Sequence, residues 1–93
     1  MEQVHIFEAV KNEIARQVRL RDEGRFTYTP KDKGITDTVK FGMLAEEFGE
    51  VARCVLANMG IVQESGSTEQ LRKELVQVAA IVVAWLECDR AYG

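Results

Sequence analysis

Apolar residues fall into three long stretches, separated by glycines at 24, 34, 60 and 66. In the first, from about Glu2 to Asp22, Val4, Phe7, Ile14 and Val18 recur at spacings of three, seven and four, and Val10 and Ala15 widen the stripe. This period predicts an amphipathic helix that stops near Gly24. The segment from Gly24 to Ile35 predicts a loop, with Phe26 and Tyr28 before Pro30 and Lys31 and Lys33 after it. A loop of that length in a compact domain is often functional. A second helix is predicted from about Asp37 to Met59, with Thr36 or Asp37 as its N-cap. Phe41, Leu44, Phe48, Val51, Val55 and Met59 form its apolar stripe, Gly60 ends it, and a linker follows from Ile61 to Ser67. A third helix begins at Ser67, which forms a capping-box pattern with Gln70, and runs to about Ala91.

The third stretch changes character along its length. Glu69, Arg72, Lys73 and Glu74 open it, and from Leu75 to Leu86 apolar side chains cover every direction around the axis, interrupted only by Gln77. A helix apolar on all sides must be buried on all sides, and two helices of the same chain cannot surround it. The pattern therefore predicts an all-α fold in which a three-helix subunit forms an oligomeric, dimer-based core resembling a four-helix bundle. A valine-rich β-strand is the alternative, but the run is longer than a strand and follows a helix cap.

The chain has 93 residues, which is one domain over 1–93 with a thin core that a partner subunit would supplement. Its net charge is −3, which argues against nucleic acid as a partner. Cys54 and Cys88 have neither zinc spacing nor the density of a disulfide scaffold, so buried, reduced thiols in a cytoplasmic protein are expected. Glu2, Gln3 and His5 interrupt any signal peptide, and the apolar run of 75–86 is too short to cross a membrane.

The carboxylates are harder to explain as surface. Glu46 and Glu50 are four apart and Glu47 and Glu50 three apart, and like charges at these spacings destabilise a helix. Glu47 lies only about 60° around the axis from Leu44, at the edge of the apolar stripe. Glu74 occupies a similar edge on the third helix, and Gln77 follows it by three. A buried amide without partners costs about 1–3 kcal/mol, so something must bond to Gln77. Hard divalent cations take carboxylate and carbonyl oxygens, and i, i+3 pairs on facing helices converge on one ion.

The string Glu46-Glu47-Phe48-Gly49-Glu50-Val51 resembles the signature helix of the MazG-like, all-α nucleoside triphosphate pyrophosphohydrolases. That family's pattern is E-E-x-x-E, a gap, then E-x-x-D. Here 23 residues separate Glu50 from Glu74, and Glu74-Leu75-Val76-Gln77 supplies E-x-x-Q. The similarity covers roughly residues 37 to 87. It implies that Glu47 and Glu50 are the first metal-binding pair and Glu74 the first member of the second. It also implies Mg²⁺, with Mn²⁺ as a substitute, and hydrolysis of a nucleotide to its monophosphate and pyrophosphate. Glu46, Glu47 or Glu50 would serve as general base. Gln77 departs from the family's Asp: its oxygen can coordinate a cation but brings no charge, so the site loses one of its anions.

Charge distribution suits such a ligand. Residues 11–40 hold eight basic and five acidic side chains, and residues 41–93 four basic and eight acidic. Arg25, Lys31, Lys33 and Lys40 are candidate phosphate contacts. Phe26 and Tyr28 either stack on a base or pin the loop to the core. Trp85 reads as core or subunit interface, and His5, the only histidine, as solvated or at the core edge. Phosphoribosyl-ATP pyrophosphohydrolase is a second enzymatic reading that matches the double-Glu motif less well. The rival from another class is a non-catalytic nucleotide-binding or interaction module of the same fold, with Gln77 weakening the metal site.

Overall fold

A computed structural model describes residues 3–60 and 68–88. It contains three α-helices: α1 (Gln3–Asp22), α2 (Asp37–Asn58) and α3 (Thr68–Glu87). No strand occurs among the described residues, and the valine-rich run is helical. The Ser67 cap and the linker of 61–67 lie outside the described residues, and the third helix ends at Glu87, with Cys88 in a bend, short of the expected end near Ala91. No helix is long and apolar enough to cross a membrane among the described residues.

α3 is the spine. α1 and α2 each pack against it, and they do not approach one another. On the α1 side, Val10 and Ile14 pack against Ala80 and Ala84, with Val76 and Ala79 at the flank. Alanine at the contact lets two helices come close. Each of the two branched side chains contributes about 1.5–3 kcal/mol by leaving water. On the α2 side the buried residues are Cys54 and Lys40. Both cysteines are free and buried.

The helix ends explain where the loop goes. Gly24, at φ +79°, closes α1. Its N–H donates to the Arg21 carbonyl at 2.9 Å, and the Arg25 N–H reaches the Leu20 carbonyl at 2.8 Å. This pairing, with a left-handed glycine, is the Schellman arrangement, and it turns the chain sharply off the helix axis. Thr29 to Asp32 then form a turn with Pro30 second, where its fixed φ fits. The Asp32 N–H donates to the Thr29 carbonyl at 3.0 Å, and Asp32 Oδ2 accepts the Thr29 N–H at 2.9 Å. Arg21 forms an ion pair with Asp32, Cys88 Sγ lies 4.0 Å from the Asp32 carbonyl, and Thr29 and Pro30 are buried. Thr36 caps α2 by accepting the Val39 N–H at 3.3 Å. Trp85 Nε1 donates to Asp37 Oδ1 at 3.0 Å, which fixes the start of α2 against the end of α3.

Two patterns differ from the sequence expectation. Phe7 and Ala15 belong to the periodic stripe of α1 but are exposed, because α1 meets only α3 and a single contact line buries Val10 and Ile14. Likewise Phe41, Phe48, Val55 and Met59 stay on the surface of the single chain, as do Leu75, Val82, Val83 and Leu86 of α3. The spine is covered on two sides and bare on the rest.

Candidate functional site

Because α1 and α2 stand apart on α3, a cleft of about 440 Å³ opens between them. α1 contributes Glu13, Arg16 and Gln17 to its wall, and the loop contributes residues 25–28 and Pro30. α2 contributes Met43, Glu46 and Glu47, and α3 contributes Gln77 and Ile81.

The carboxylates of α2 and α3 meet at this cleft. Turned with its nitrogen towards them, the Gln77 amide donates to Glu47 Oε2 at 3.2 Å and to Glu74 Oε2 at 2.9 Å. Gln70 Nε2 donates to Glu74 Oε1 at 2.7 Å, so both oxygens of Glu74 are held by amides one turn away on its own helix. Burial, a shared hydrogen bond with Glu74 and the charges of Glu74, Glu50 and Glu46 push the Glu47 carboxyl up from 4.5 to about 7. Two carboxyls this close cannot both ionise freely without a cation. The amide that the sequence left without a partner is therefore the bridge between them.

Across the cleft, α1 builds the opposite electrostatics. Arg16 donates Nε to Glu13 Oε1 and Nη2 to Glu13 Oε2, both at 2.8 Å, and Gln17 Nε2 donates to Glu13 Oε2 at 3.0 Å. Burial works against the charge of Glu13, but the Arg16 and Gln17 hydrogen bonds outweigh it and lower its pKa. The hydrogen bond to Glu13 raises the Arg16 pKa, and the negative charge of Glu47 adds to that effect.

Of the sequence-selected residues, Glu46, Glu47, Gln77, Arg25, Phe26 and Tyr28 line one cleft. Glu74 joins them through Gln77 and Glu47. Glu50 is exposed and acts on Glu47 through its charge, without lining the cleft. The selected lysines go elsewhere. Lys31 lies in a separate groove with Lys11 and Asp22 of α1, and Lys33 is exposed outside the cleft lining. Lys40 is 0 % exposed, and its Nζ finds no hydrogen-bond partner among the described residues. His5 is exposed on α1. Sequence reasoning missed Glu13, Arg16 and Gln17. Their i, i+3 and i, i+4 spacing was visible, but it is also the spacing of an ordinary surface network.

Among the described residues, no three of Asp, Glu, His and Cys converge tightly enough to hold a metal ion by themselves. Glu47 and Glu74 supply two carboxylates, and the Gln77 amide, turned back with its oxygen towards them, would supply one oxygen. That donor set fits Mg²⁺, which keeps several waters and is bound by one or two carboxylates together with substrate phosphates. Compared with protein-family models, curated proteins and solved structures, the chain finds no match.

Proposed function

We propose that the chain is a Mg²⁺-dependent nucleoside triphosphate pyrophosphohydrolase, acting on an NTP or dNTP to give the monophosphate and pyrophosphate. The observation that carries this reading is the meeting of Glu47 and Glu74 across Gln77 beside an open cleft, with Glu47 raised to about 7 by its neighbours. Such a pair is an anionic site short of a cation. The resemblance of Glu46–Val51 and Glu74–Gln77 to the MazG-like signature supports the same conclusion.

In this reading Glu47, Glu74 and Gln77 hold Mg²⁺ or Mn²⁺, with Glu50 adding negative charge behind Glu47. Bound there, the cation neutralises polyphosphate charge and polarises the phosphoryl oxygens. Glu46 lines the cleft and Glu50 does not, so Glu46 is the better-placed general base for the attacking water. The water oxygen bonds to the α-phosphorus, its proton passes to Glu46, and the α–β anhydride bond breaks to release pyrophosphate. Arg25 faces the phosphates, and Phe26 and Tyr28 flank the base.

One observation favours the non-catalytic alternative. The Gln77 amide donates to both carboxylates, the place a cation would take, which is what a vestigial site would do. Pyrophosphate release from a panel of ribo- and deoxynucleoside triphosphates separates the two readings. Release that needs Mg²⁺ and disappears in a folded Glu47→Gln variant supports the hydrolase. No release from any nucleotide by folded wild type supports the binding module.

The subunit is proposed to work as a homo-oligomer, a dimer or a tetramer. Phe41, Phe48 and Val55 repeat every seven residues on α2 and are exposed, as are Leu75, Val82 and Leu86 of α3. Heptad spacing is the seam by which helices of two chains interlock. Sedimentation of wild type as a species larger than one chain, and of Phe48→Lys as a single chain, would support this. A monomeric wild type contradicts it.

A further inference from the structure

A second groove, of about 420 Å³, runs between α1 and α3. Arg16 and its ion-pair partner Glu13 line this groove as well as the carboxylate cleft, and they link the two. Asn12, Arg72 and Lys73 line the groove too. Three cations therefore face one carboxylate, and that carboxylate is already saturated. Arg16 and Gln17 occupy both oxygens of Glu13. The Glu13 side chain is only 12 % exposed, whereas Arg16 remains 41 % exposed. Two of the five N–H groups of the Arg16 guanidinium are used on Glu13, which leaves three pointing elsewhere in a fixed plane. Arg72 and Lys73 are exposed and form no ion pair among the described residues. Lys73 acts on Glu13 only through its charge.

We infer that this groove is an anion site for a condensed phosphate, the β- and γ-phosphates of a nucleoside triphosphate. Assigning that ligand rests on the hydrolase reading. Glu13 and Arg16 line both the groove and the cleft that holds Glu47, and the Glu47 charge acts on Arg16, so the cation-rich groove adjoins the carboxylate cleft. A ligand spanning both needs a cation-bearing part for Glu47 and Glu74 and a bare anionic tail for Arg16, Arg72 and Lys73. A metal-bound triphosphate has both parts in that order. Glu13 and Gln17 are positioning residues: Glu13 keeps the guanidinium planar to the groove, and Gln17 keeps Glu13 in place. Arginine suits this task because its fork matches phosphate oxygens in pairs.

The test is binding of inorganic tripolyphosphate, measured by titration calorimetry without divalent cation. The proteins are wild type, Arg72→Gln/Lys73→Gln, Arg16→Gln and Arg19→Gln. Arg19 is an exposed cation of α1 outside this groove and serves as the control. The double variant and Arg16→Gln should each weaken binding about tenfold or more, the scale of a charge-assisted hydrogen bond. Arg19→Gln should stay close to wild type. Glu47→Gln should retain tripolyphosphate binding. Equal binding by wild type and the double variant would overturn the inference, as would no binding by wild type. The hydrolase reading fails differently. Intact, Arg72- and Lys73-dependent binding without pyrophosphate release from any nucleotide supports the groove as an anion site and overturns the hydrolase.

Discussion

The two faces of α3 are built on opposite terms. Towards α1 it presents Ala80 and Ala84 to Val10 and Ile14, a seam in which every buried group is apolar. Towards α2 it meets a helix whose buried residues are Cys54 and Lys40, the Lys40 amino group having no hydrogen-bond partner among the described residues, and on the same helix Glu47 shares a hydrogen bond with Glu74 of α3. The buried apolar cluster of the first seam has nothing left to satisfy, and its charged groups lie at the rim. The second contains groups that single-chain packing leaves in conflict, the usual mark of a surface that waits for a ligand or a partner. Stability thus rests on the apolar cluster between α1 and α3, and the unsatisfied carboxylates lie where α3 meets α2.

Cutting into the satisfied seam should have the largest effect. Ile14→Ala removes a buried side chain from the packed cluster and is expected to cost about 2–5 kcal/mol. A thermal melt should show a fall of at least roughly 10 °C. Glu47→Gln, on the other face, should leave the melting temperature unchanged or raise it, because it removes like-charge repulsion. If Glu47→Gln instead lost folding and Ile14→Ala did not, the division would be reversed.

A smaller effect of opposite sign is expected at Lys40. Its amino group is fully buried with no hydrogen-bond partner among the described residues, and such a group costs about 1–3 kcal/mol. Lys40→Met keeps the length of the stem and removes the polar end. The melting temperature should rise by several degrees. A fall would show that the amino group has a partner in solution and belongs with the satisfied groups.

Much of this was legible in the chain. Helical period, Gly24, Thr36 and Gly60 mark the ends of α1 and α2 to within a residue, because caps and glycines act locally, whereas α3 ends at Glu87, with no glycine or proline nearby to mark it. Glu46, Glu47, Glu74 and Gln77 stood out because charge at the edge of an apolar stripe is locally unfavourable and needs a reason. Burial of Lys40 was not legible. It depends on which edge of the apolar stripe meets α3: Leu44 and Val51 lie within about 40° of Lys40 around the axis, whereas the exposed Phe41, Phe48 and Val55 lie about 60–100° away. The part played by α1 was equally hidden. Glu13, Arg16 and Gln17 form a helix-surface network by spacing alone, and only the separation of α1 from α2 turns it into a cleft wall.

The central claim is that the Glu47–Glu74 pair binds a divalent cation, and stability against pH tests it with the smallest and most specific effect. Folding raises the Glu47 carboxyl from 4.5 to about 7, so the folded state binds protons more readily than the unfolded one in that interval. Stability should therefore fall as pH climbs from about 4.5 to about 7 and lose no more from this group above it. Melting temperatures would be measured across this range for wild type and Glu47→Gln, with and without Mn²⁺. Wild type should decline through the window and recover with Mn²⁺ at pH 7 and above, and Glu47→Gln should be flat and indifferent to the ion. Superimposable curves, with neither protein responding to Mn²⁺, would contradict the claim.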